Sequence, residues 1–158
     1  MKKVCIIVVS DLCFRGERED RSGEVIKKIL LRNGFAVEGK IVVPNEKEMI
    51  EEAIKHCCDN LKASLVLTAG GTGFSRRDVT PEATRRCLER EAMGIVEAIR
   101  TYSLEFTDKA MLSRAVSGIR GDSLIINLPG NEKAVKEALD VILGAVSYGL
   151  DILSESEN

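Results

Sequence analysis

Residues 63–73 read ASLVLTAGGTG, a short apolar run that passes directly into a glycine-rich turn. Residues 63–67 are predicted to form a β-strand that is buried on both faces, because only Ser64 among them is polar. Such a strand lies in the middle of a parallel sheet. Gly70, Gly71 and Gly73 would let the backbone approach a ligand closely and turn several N–H groups toward one point. Taken alone, the glycines are equally compatible with a structural strand-to-helix turn.

On both sides of this stretch, apolar runs of strand length alternate with segments of helical period. Further strands are predicted at residues 4–9, 35–43 and 124–128. Helices are predicted to begin at Ser22, Asn45, Thr80 and Asn131, each a candidate N-cap, and further helical character would extend from the third to about Phe106. The second helix would present the apolar stripe Met49, Ala53, Ile54 and Cys57. This order predicts an α/β protein with three αβα layers and a doubly wound, mostly parallel sheet, with residues 1–158 in one domain.

Composition excludes several classes of function. The net charge is -2, acidic and basic residues are interspersed, and there is no Trp, so we expect no nucleic acid partner. The apolar run at residues 4–9 is too short for a signal peptide or a membrane span, which predicts no membrane association. The five cysteines are odd in number and lack Cys-x-x-Cys spacing, as is typical of reduced thiols in a cytoplasmic protein. The one histidine, His56, lies in a helical stretch, so a Ser/His/Asp hydrolase is not supported.

Ligands of doubly wound sheets bind at the carboxyl ends of the strands. Four predicted loops lie there: Ser10-Asp11, Pro44-Asn45, Gly70 to Asp78, and Asn127 to Gly130. The glycine-rich loop is not a Walker A motif, because no Lys follows its last glycine, and it lacks the Gly-x-Gly-x-x-Gly spacing.

The continuation of this loop favours a phosphate site. Arg76 and Arg77 offer guanidinium groups to phosphate, and Asp78 offers an oxygen ligand to Mg²⁺, which takes few ligands from protein. A solvated loop remains an alternative for the two arginines. A helix cap or an ion-pair partner remains one for Asp78.

Four separated motifs now point to a family. Thr68-Ala69-Gly70-Gly71-Thr72-Gly73, Arg77-Asp78-Val79-Thr80-Pro81-Glu82-Ala83, Leu112-Ser113-Arg114 and Leu124-Ile125-Ile126-Asn127-Leu128-Pro129-Gly130 follow one another in order. Together they resemble the Mog/MoaB family of molybdopterin adenylyltransferases, over almost the whole chain. The first loop, with Ser10 and Asp11, is similar to that of the family as well.

The resemblance implies adenylyl transfer from Mg-ATP to molybdopterin, with ATP and molybdopterin as substrates and Mg²⁺ as cofactor. Asp78 would be catalytic and would hold Mg²⁺ or orient the triphosphate. The nucleotide and pterin site would include Ser10, Asp11, Gly70, Gly71, Thr72, Gly73, Arg77, Ser113, Arg114, Asn127, Leu128, Pro129 and Gly130. The resemblance also implies a homotrimer or a hexamer, with possible contact to the metal-insertion protein of the pathway.

Two positions depart from the family pattern: Asn131-Glu132-Lys133, where the family commonly has a Pro and a changed helix start is the interpretation, and the turn after the second strand, which bears on the chemistry. The turn after the second strand usually carries a functional aspartate, and here it reads Pro44-Asn45-Glu46. Asn45 can form hydrogen bonds at a catalytic position but cannot be an anionic metal ligand. Either Glu46 or Asp11 replaces the carboxylate, or the chain binds molybdopterin with weak or no adenylyl transfer. Leu104, Phe106, Met111 and Leu112 are candidate subunit-interface residues, although core packing is the favoured interpretation for each.

Overall fold

The computed structural model describes residues 1–155. Its strands are β1 (Lys3–Val9), β2 (Ala36–Val43), β3 (Leu65–Ala69), β4 (Arg90–Glu91), β5 (Ser117–Arg120) and β6 (Ser123–Leu128). Its α-helices are α1 (Asp11–Phe14), α2 (Ser22–Arg32), α3 (Lys47–Lys55), α4 (Thr80–Cys87), α5 (Gly94–Ser103) and α6 (Glu132–Glu155). A π-helical turn, His56–Asn60, extends α3, and a 3-10 turn, Asp108–Leu112, follows α5.

All the strands in the described part of the chain form one sheet, in the order β2-β1-β3-β6-β5-β4. β2, β1, β3 and β6 are parallel, whereas β5 and β4 are added antiparallel at one edge. The chain moves outward from β1 to β2 and then returns to the other side of β1 as β3. The strand order therefore reverses between β1 and β3, and the loops that leave these two strands diverge and open a crevice.

Both faces of the sheet are buried, which confirms the three-layer αβα prediction. Along β1, Val4 and Ile6 face a cluster formed with α2, α5 and α6, while Cys5 and Ile7 face a second cluster under α3 and α4. The apolar stripe predicted for the last helix is correct, because all its members are buried: Val135, Leu139, Ile142, Val146 and Leu150. Asn131 caps this helix as predicted, because its Oδ1 accepts a hydrogen bond from the Ala134 N–H at 2.9 Å.

Two predicted elements differ from the structure in their bounds. The strand predicted at residues 63–67 occupies Leu65–Ala69 instead, because Thr68 and Ala69 pair with Asn127 and Leu128 on β6. Helical character was predicted from Thr80 to about Phe106, and α4 and α5 provide it, but the two helices are separated by β4. Between them the N–H groups of Glu89 and Ala92 donate to carbonyls of β5. The antiparallel edge formed by β4 and β5 was not predicted.

Three predicted helix caps were also wrong, and in two of them the side chain forms a tertiary contact instead. Ser22 is the first residue of α2 and donates to the Gly130 carbonyl at 2.6 Å. Thr80 is the first residue of α4 and donates to the Gly70 carbonyl at 2.9 Å. Glu46, rather than Asn45, is the residue before α3.

The apolar stripe predicted for the second helix is correct at Ala53, Ile54 and Cys57, which are buried. Only Met49 was wrong, because it is 37% exposed and Ile50 occupies the core in its place. Core packing was the wrong interpretation for the segment after α5 as well, because the side chains there are 44–63% exposed: Leu104, Phe106, Met111 and Leu112.

Candidate active site

The reversal of strand order opens into a cavity of about 960 Å³ at the carboxyl ends of β1 and β3. Its wall is formed by the loop after β1, the segment that leads into α2, the glycine-rich loop after β3, and the turn between β6 and α6. The lining includes the predicted site residues Ser10, Asp11, Asn45, Gly71, Arg77, Asp78 and Gly130. These residues come from four separate loops, so the fold brings together what the sequence distributes.

The first residue of α4, Thr80, holds the glycine-rich loop in one conformation. Gly70 and Gly71 have φ values of +104° and +73°, which side chains other than glycine rarely adopt. The Thr80 hydroxyl donates to the Gly70 carbonyl at 2.9 Å, and the Thr80 N–H donates to the Gly71 carbonyl at 3.1 Å. A Cβ on Gly70 would overlap the Val9 carbonyl oxygen, and one on Gly71 would overlap the Thr80 hydroxyl. Both positions therefore require glycine.

The turn after β6 packs directly against this loop. A Cβ built on Gly130 would lie 3.2 Å from the Gly70 Cα, and the Gly70 N–H donates to the Leu128 carbonyl at 3.2 Å. The two glycine turns thus form one continuous wall, to which Pro129 belongs, whereas Leu128 lines neither of the cavities described here. The Leu128 side chain is fully buried and supports the turn from the core.

An ion pair crosses the cavity between two of its loops. The Asp11 carboxylate accepts from Nε of Arg77 at 3.2 Å and from Nη2 at 2.9 Å. It also accepts from the backbone N–H of Asn45 at 2.9 Å. These interactions, led by the hydrogen bond from Arg77, lower the pKa of Asp11 from 3.8 to about 2. Asp11 is therefore an anion at neutral pH and lies beside position 45.

The Asn45 side chain contributes an amide oxygen that accepts no hydrogen bond within the described chain. Asn45 Oδ1 is buried and has no hydrogen-bond partner among residues 1–155. It lies beside Gly71, since a Cβ built there would be 3.1 Å from it. Glu46 is absent from the cavity lining, whereas Asp11 lines it. Of the two carboxylates that could replace the family's aspartate, Asp11 is the one that lies at the cavity.

Asp78 also lines the large cavity, at the end of the glycine-rich loop. Its Oδ2 accepts from the Ser75 N–H at 3.0 Å, which closes the turn that precedes α4. Its other carboxylate oxygen has no hydrogen-bond partner in the described chain, so it remains available to a ligand. Asp78 thus combines a structural contact with a free anionic oxygen.

The charges that line the large cavity fit a divalent cation. Carboxylates outnumber guanidinium groups there, with Asp11, Glu19, Asp20, Asp78 and Glu132 against Arg18, Arg21 and Arg77. A polyphosphate would therefore need a cation beside it. Residues 1–155 contain no cluster of three or more His, Cys, Asp or Glu side chains that could enclose a metal on their own.

Arg114 stabilises the glycine-rich loop from inside the protein. Its guanidinium donates to the carbonyls of Gly73 at 2.8 Å and Asp78 at 2.7 Å, and to the Glu82 carboxylate at 2.7 and 3.0 Å. The Arg114 N–H also donates to the Thr72 carbonyl at 2.8 Å. Arg114 lines neither of the cavities described here, so the structure gives it a supporting position behind the site.

Asn127 is 1% exposed; it supports the site through hydrogen bonds and also belongs to the lining of a second, smaller cavity. Its Nδ2 donates to the hydroxyls of Thr68 and Thr84, both at 2.9 Å, and its Oδ1 accepts from the Val116 N–H at 3.1 Å. Both polar atoms of the amide are used, so the network ties β6 to β3, α4 and the segment before β5.

A smaller cavity of about 260 Å³ lies on the other side of the glycine wall. Thr72, Gly73, Ser113 and Pro129 belong to its lining, and Asn131 lines both cavities. Aliphatic and polar side chains both line this cavity. The aliphatic residues include Val96, Ile99, Ala110 and Ala115, and the polar groups include Arg100, Ser103, Lys109 and Glu137.

Several residues of the two cavities gave no recognisable signal in the sequence. Arg18 and Arg21 line the large cavity from the segment before α2, and neither forms an ion pair in the described chain. The Gly23 residue that follows them is a sequence signal for this loop, because a Cβ at position 23 would overlap the Asp20 carboxylate. The Gly23 N–H donates to Asp20 Oδ1 at 2.8 Å. Arg100 and Glu137 occupy ordinary helical surface positions, so no local pattern distinguishes them.

The chain is similar to known proteins over nearly its whole length. Residues 5–147 match the family described as "probable molybdopterin binding domain". The molybdopterin adenylyltransferase of Helicobacter pylori strain J99 is 38% identical over 151 residues, which cover 94% of this chain and 85% of the relative. The crystal structure of the molybdopterin biosynthesis enzyme MoaB from Thermus thermophilus has a TM-score of 0.93 and 41% identity, and the match covers 98% of each chain.

A longer relative contains this unit as one part. The molybdenum cofactor synthesis protein cinnamon of Drosophila melanogaster is 38% identical over 152 residues, and this chain spans a quarter of its length (25%). Among residues 1–155, no helix has the length and apolar character that a membrane-spanning segment needs.

Proposed function

The chain belongs to the Mog/MoaB family of molybdopterin adenylyltransferases, and from this premise we propose that it transfers the adenylyl group of Mg-ATP to molybdopterin. A phosphate oxygen of molybdopterin attacks the α-phosphorus of ATP. The bond from that phosphorus to the oxygen bridging to the β-phosphorus breaks, and pyrophosphate leaves with the electron pair. The products are adenylylated molybdopterin and pyrophosphate, in molybdenum cofactor biosynthesis.

The observation that carries this proposal is the pair of cavities separated by one glycine wall. The large one, at about 960 Å³, has room for a nucleoside triphosphate, whereas the small one, at about 260 Å³, has room for one fused ring system. Both adjoin the Gly70–Gly73 loop and share Asn131. Two substrates held on either side of this loop would meet at its edge, as a direct transfer between them requires.

In this proposal the protein acts by positioning and by charge, without a protein nucleophile. The glycine-rich loop and the turn at Gly130 orient the nucleotide, while Ser10, Arg77 and the unpaired Arg18 and Arg21 surround its phosphates. Asp78 and Asp11 supply the anionic oxygens of the large cavity. Arg114 and Asn127 keep both loops fixed, so that little reorganisation is needed at the moment of reaction.

Mg²⁺ is the cofactor that suits these residues, with Asp78 as its first protein ligand and Asp11 as the second. When bound, Mg²⁺ would neutralise the phosphates and polarise the α-phosphoryl group. Asn45 contributes a neutral oxygen at the same wall, and Asp11, which accepts a hydrogen bond from the Asn45 N–H, supplies the charge that position 45 lacks.

Asn45, which stands where the family usually has an aspartate, supports a second candidate function. A chain with Asn45 could bind molybdopterin in the same fold and transfer adenylyl groups weakly or not at all. Titrating molybdopterin and Mg-ATP separately and then measuring pyrophosphate release separates the two functions. Turnover that depends on both substrates supports the enzyme, and binding of both without pyrophosphate release contradicts it.

The remaining features of the proposal concern assembly and location. We place residues 1–158 in one cytoplasmic domain that assembles as a homotrimer or a hexamer and passes its product to a metal-insertion protein. The exposed apolar segment that contains Leu104, Phe106 and Met111 is the surface we assign to subunit contact. Light scattering on the purified protein tests the assembly, and a monomer at micromolar concentration contradicts it.

A further inference from the structure

We propose that Glu137 selects the pterin ring of the substrate by accepting two hydrogen bonds from its 2-amino and N3–H groups in the small cavity. This inference rests on the proposed function and deepens it. It assigns a specificity-determining residue and explains how one protein keeps two heterocyclic substrates in separate cavities.

Glu137 is a carboxylate without a partner at the edge of an apolar cavity. It lies in the second turn of α6, is half-buried, and lines the small cavity. No hydrogen bond or ion pair to it occurs within residues 1–155, although Arg100 and Lys109 line the same cavity. Arg100 is instead bound to the carbonyls of Ser113 at 3.2 Å and Ala115 at 2.9 Å.

Two carboxylates of the large cavity, Asp11 and Asp20, already have partners in the protein. Asp11 is bound by Arg77, and Asp20 is bound by Lys40 at 2.8 Å and by the Gly23 N–H. A half-buried carboxylate loses hydration, and this cost is recovered only when donors replace the water. Glu137 lacks such donors in the protein, so a ligand that brings two of them would be stabilised there.

The rest of the cavity fits a flat heterocycle. Val96, Ile99 and Ala115 form an aliphatic floor on which a ring face can pack, and a volume of about 260 Å³ accommodates a bicyclic ring but not a nucleotide with its phosphates. Ser103, Thr107 and Ser113 offer hydroxyl groups to the polar atoms of the ring.

The hydrogen-bonding edges of the two substrates differ at the point that Glu137 would contact. A pterin presents N3–H and the 2-amino group as two adjacent donors, which match the two oxygens of a carboxylate. Adenine presents an amino donor beside the N1 acceptor, whose lone pair would face a carboxylate oxygen. Glu137 therefore favours the pterin and disfavours adenine, which leaves the nucleotide to the large cavity.

Intrinsic pterin fluorescence allows a direct test with 6-hydroxymethylpterin as the probe. We expect Glu137→Gln to weaken its binding by about 10- to 100-fold, because one acceptor becomes an amide donor that faces the 2-amino group. Mg-ATP binding, measured by calorimetry, should change less than about twofold. Glu97→Gln is the matched control, since Glu97 is a glutamate on α5 outside both cavities, and it should leave both affinities unchanged.

Competition and a conservative variant complete the test. Guanosine, which has the same donor edge, should displace the probe, whereas adenosine should not. Glu137→Asp should bind the probe with intermediate affinity, and circular dichroism should show both variants folded. The inference is overturned if Glu137→Gln binds the probe like the wild type, if adenosine competes as well as guanosine, or if the wild type shows no binding at about 1 mM probe.

These readouts are separate from those of the proposed function. If the probe binds in a Glu137-dependent manner but no pyrophosphate is released from Mg-ATP and molybdopterin, the adenylyl transfer fails and the pterin assignment stands. If pyrophosphate is released normally and Glu137→Gln leaves the KM for molybdopterin unchanged, the enzyme stands and the assignment of Glu137 fails.

Discussion

Asp11 and Arg77, 66 positions apart in the chain, form a two-point ion pair across the crevice between β1 and β3. The distances are 3.2 Å from Nε and 2.9 Å from Nη2 of the guanidinium. The pair joins the loops that leave the two strands where the sheet order reverses. In the free protein it therefore links these two loops and places Arg77 beside the site where we propose that the phosphates bind.

Asp11→Asn should lower the free energy of unfolding by at most about 1 kcal/mol at pH 7, because Arg77 is 57% exposed and solvent weakens the pair. The pKa of Asp11 falls from 3.8 to about 2 on folding, so the unfolded chain takes up the proton first. The contribution is fully present above about pH 4 and is lost as the pH falls toward 2. Urea titrations of both proteins along this range measure it. Asp140→Asn, an exposed position without an ion pair in the described chain, is the control, and a pH-independent difference contradicts the prediction.

Asp78→Ala should abolish pyrophosphate release, and Asp78→Asn should lower its rate by about 100-fold or more. The asparagine can still accept the Ser75 N–H that Asp78 Oδ2 binds at 3.0 Å, so the loop should keep its shape while the charge is lost. Pyrophosphate assays and thermal unfolding together check this. Asp122→Asn, at an exposed turn, should leave the rate unchanged, whereas normal turnover in either Asp78 variant would remove Asp78 from the mechanism.

Gly71→Ala should destabilise the protein by about 1–3 kcal/mol and weaken Mg-ATP binding. The cause is the φ of +73° together with the overlap of the new Cβ with the Thr80 hydroxyl, which holds the loop. Gly144→Ala is the matched control, because it lies within α6 with open space around its Cβ, and we expect it to stabilise the helix slightly. Urea unfolding and calorimetry measure the two effects. Equal behaviour of the two variants would contradict the role of this loop.

Asn45→Asp should raise the rate of pyrophosphate release several-fold and lower the Mg²⁺ concentration needed for half-maximal rate. The change adds an anionic oxygen where the Asn45 Oδ1 is buried without a partner in the described chain, beside the glycine-rich loop. Initial rates over a Mg²⁺ series provide the measurement. Asn60→Asp, which adds the same charge outside both cavities, should have no effect. An unchanged or slower Asn45→Asp enzyme would contradict the prediction that the missing carboxylate limits the rate.

Local patterns were sufficient for the strands and helices that pack against the core. β1 and β6 are largely continuous apolar runs, and α6 repeats its apolar positions at helical spacing, so burial alone dictates their type. The edge strands were missed because β4 has only two residues, both exposed, and exists through its pairing with β5. Strand formation at such an edge depends on a neighbour that the local sequence does not reveal.

The helix caps show the same limit of prediction from local sequence. Ser22 and Thr80 have the residue types of N-caps, and each stands at the start of a helix, yet each donates its hydroxyl to a carbonyl of a glycine turn. A side chain with one donor goes to the carbonyl that tertiary packing brings within reach, and no local rule contains that information.

The sequence by itself determined the αβα architecture, the family, and the four loops that carry the chemistry, because hydrophobic period, glycine and proline act over a few neighbouring residues. Only the tertiary structure decided which side chains act together. It paired Asp11 with Arg77, set Arg114 behind the site as a support, fixed Asn127 by hydrogen bonds at the small cavity, and left Glu137 unpaired within the described chain beside the same cavity. Contacts between distant residues depend on how the strands are ordered, and that order follows from the packing of the whole sheet.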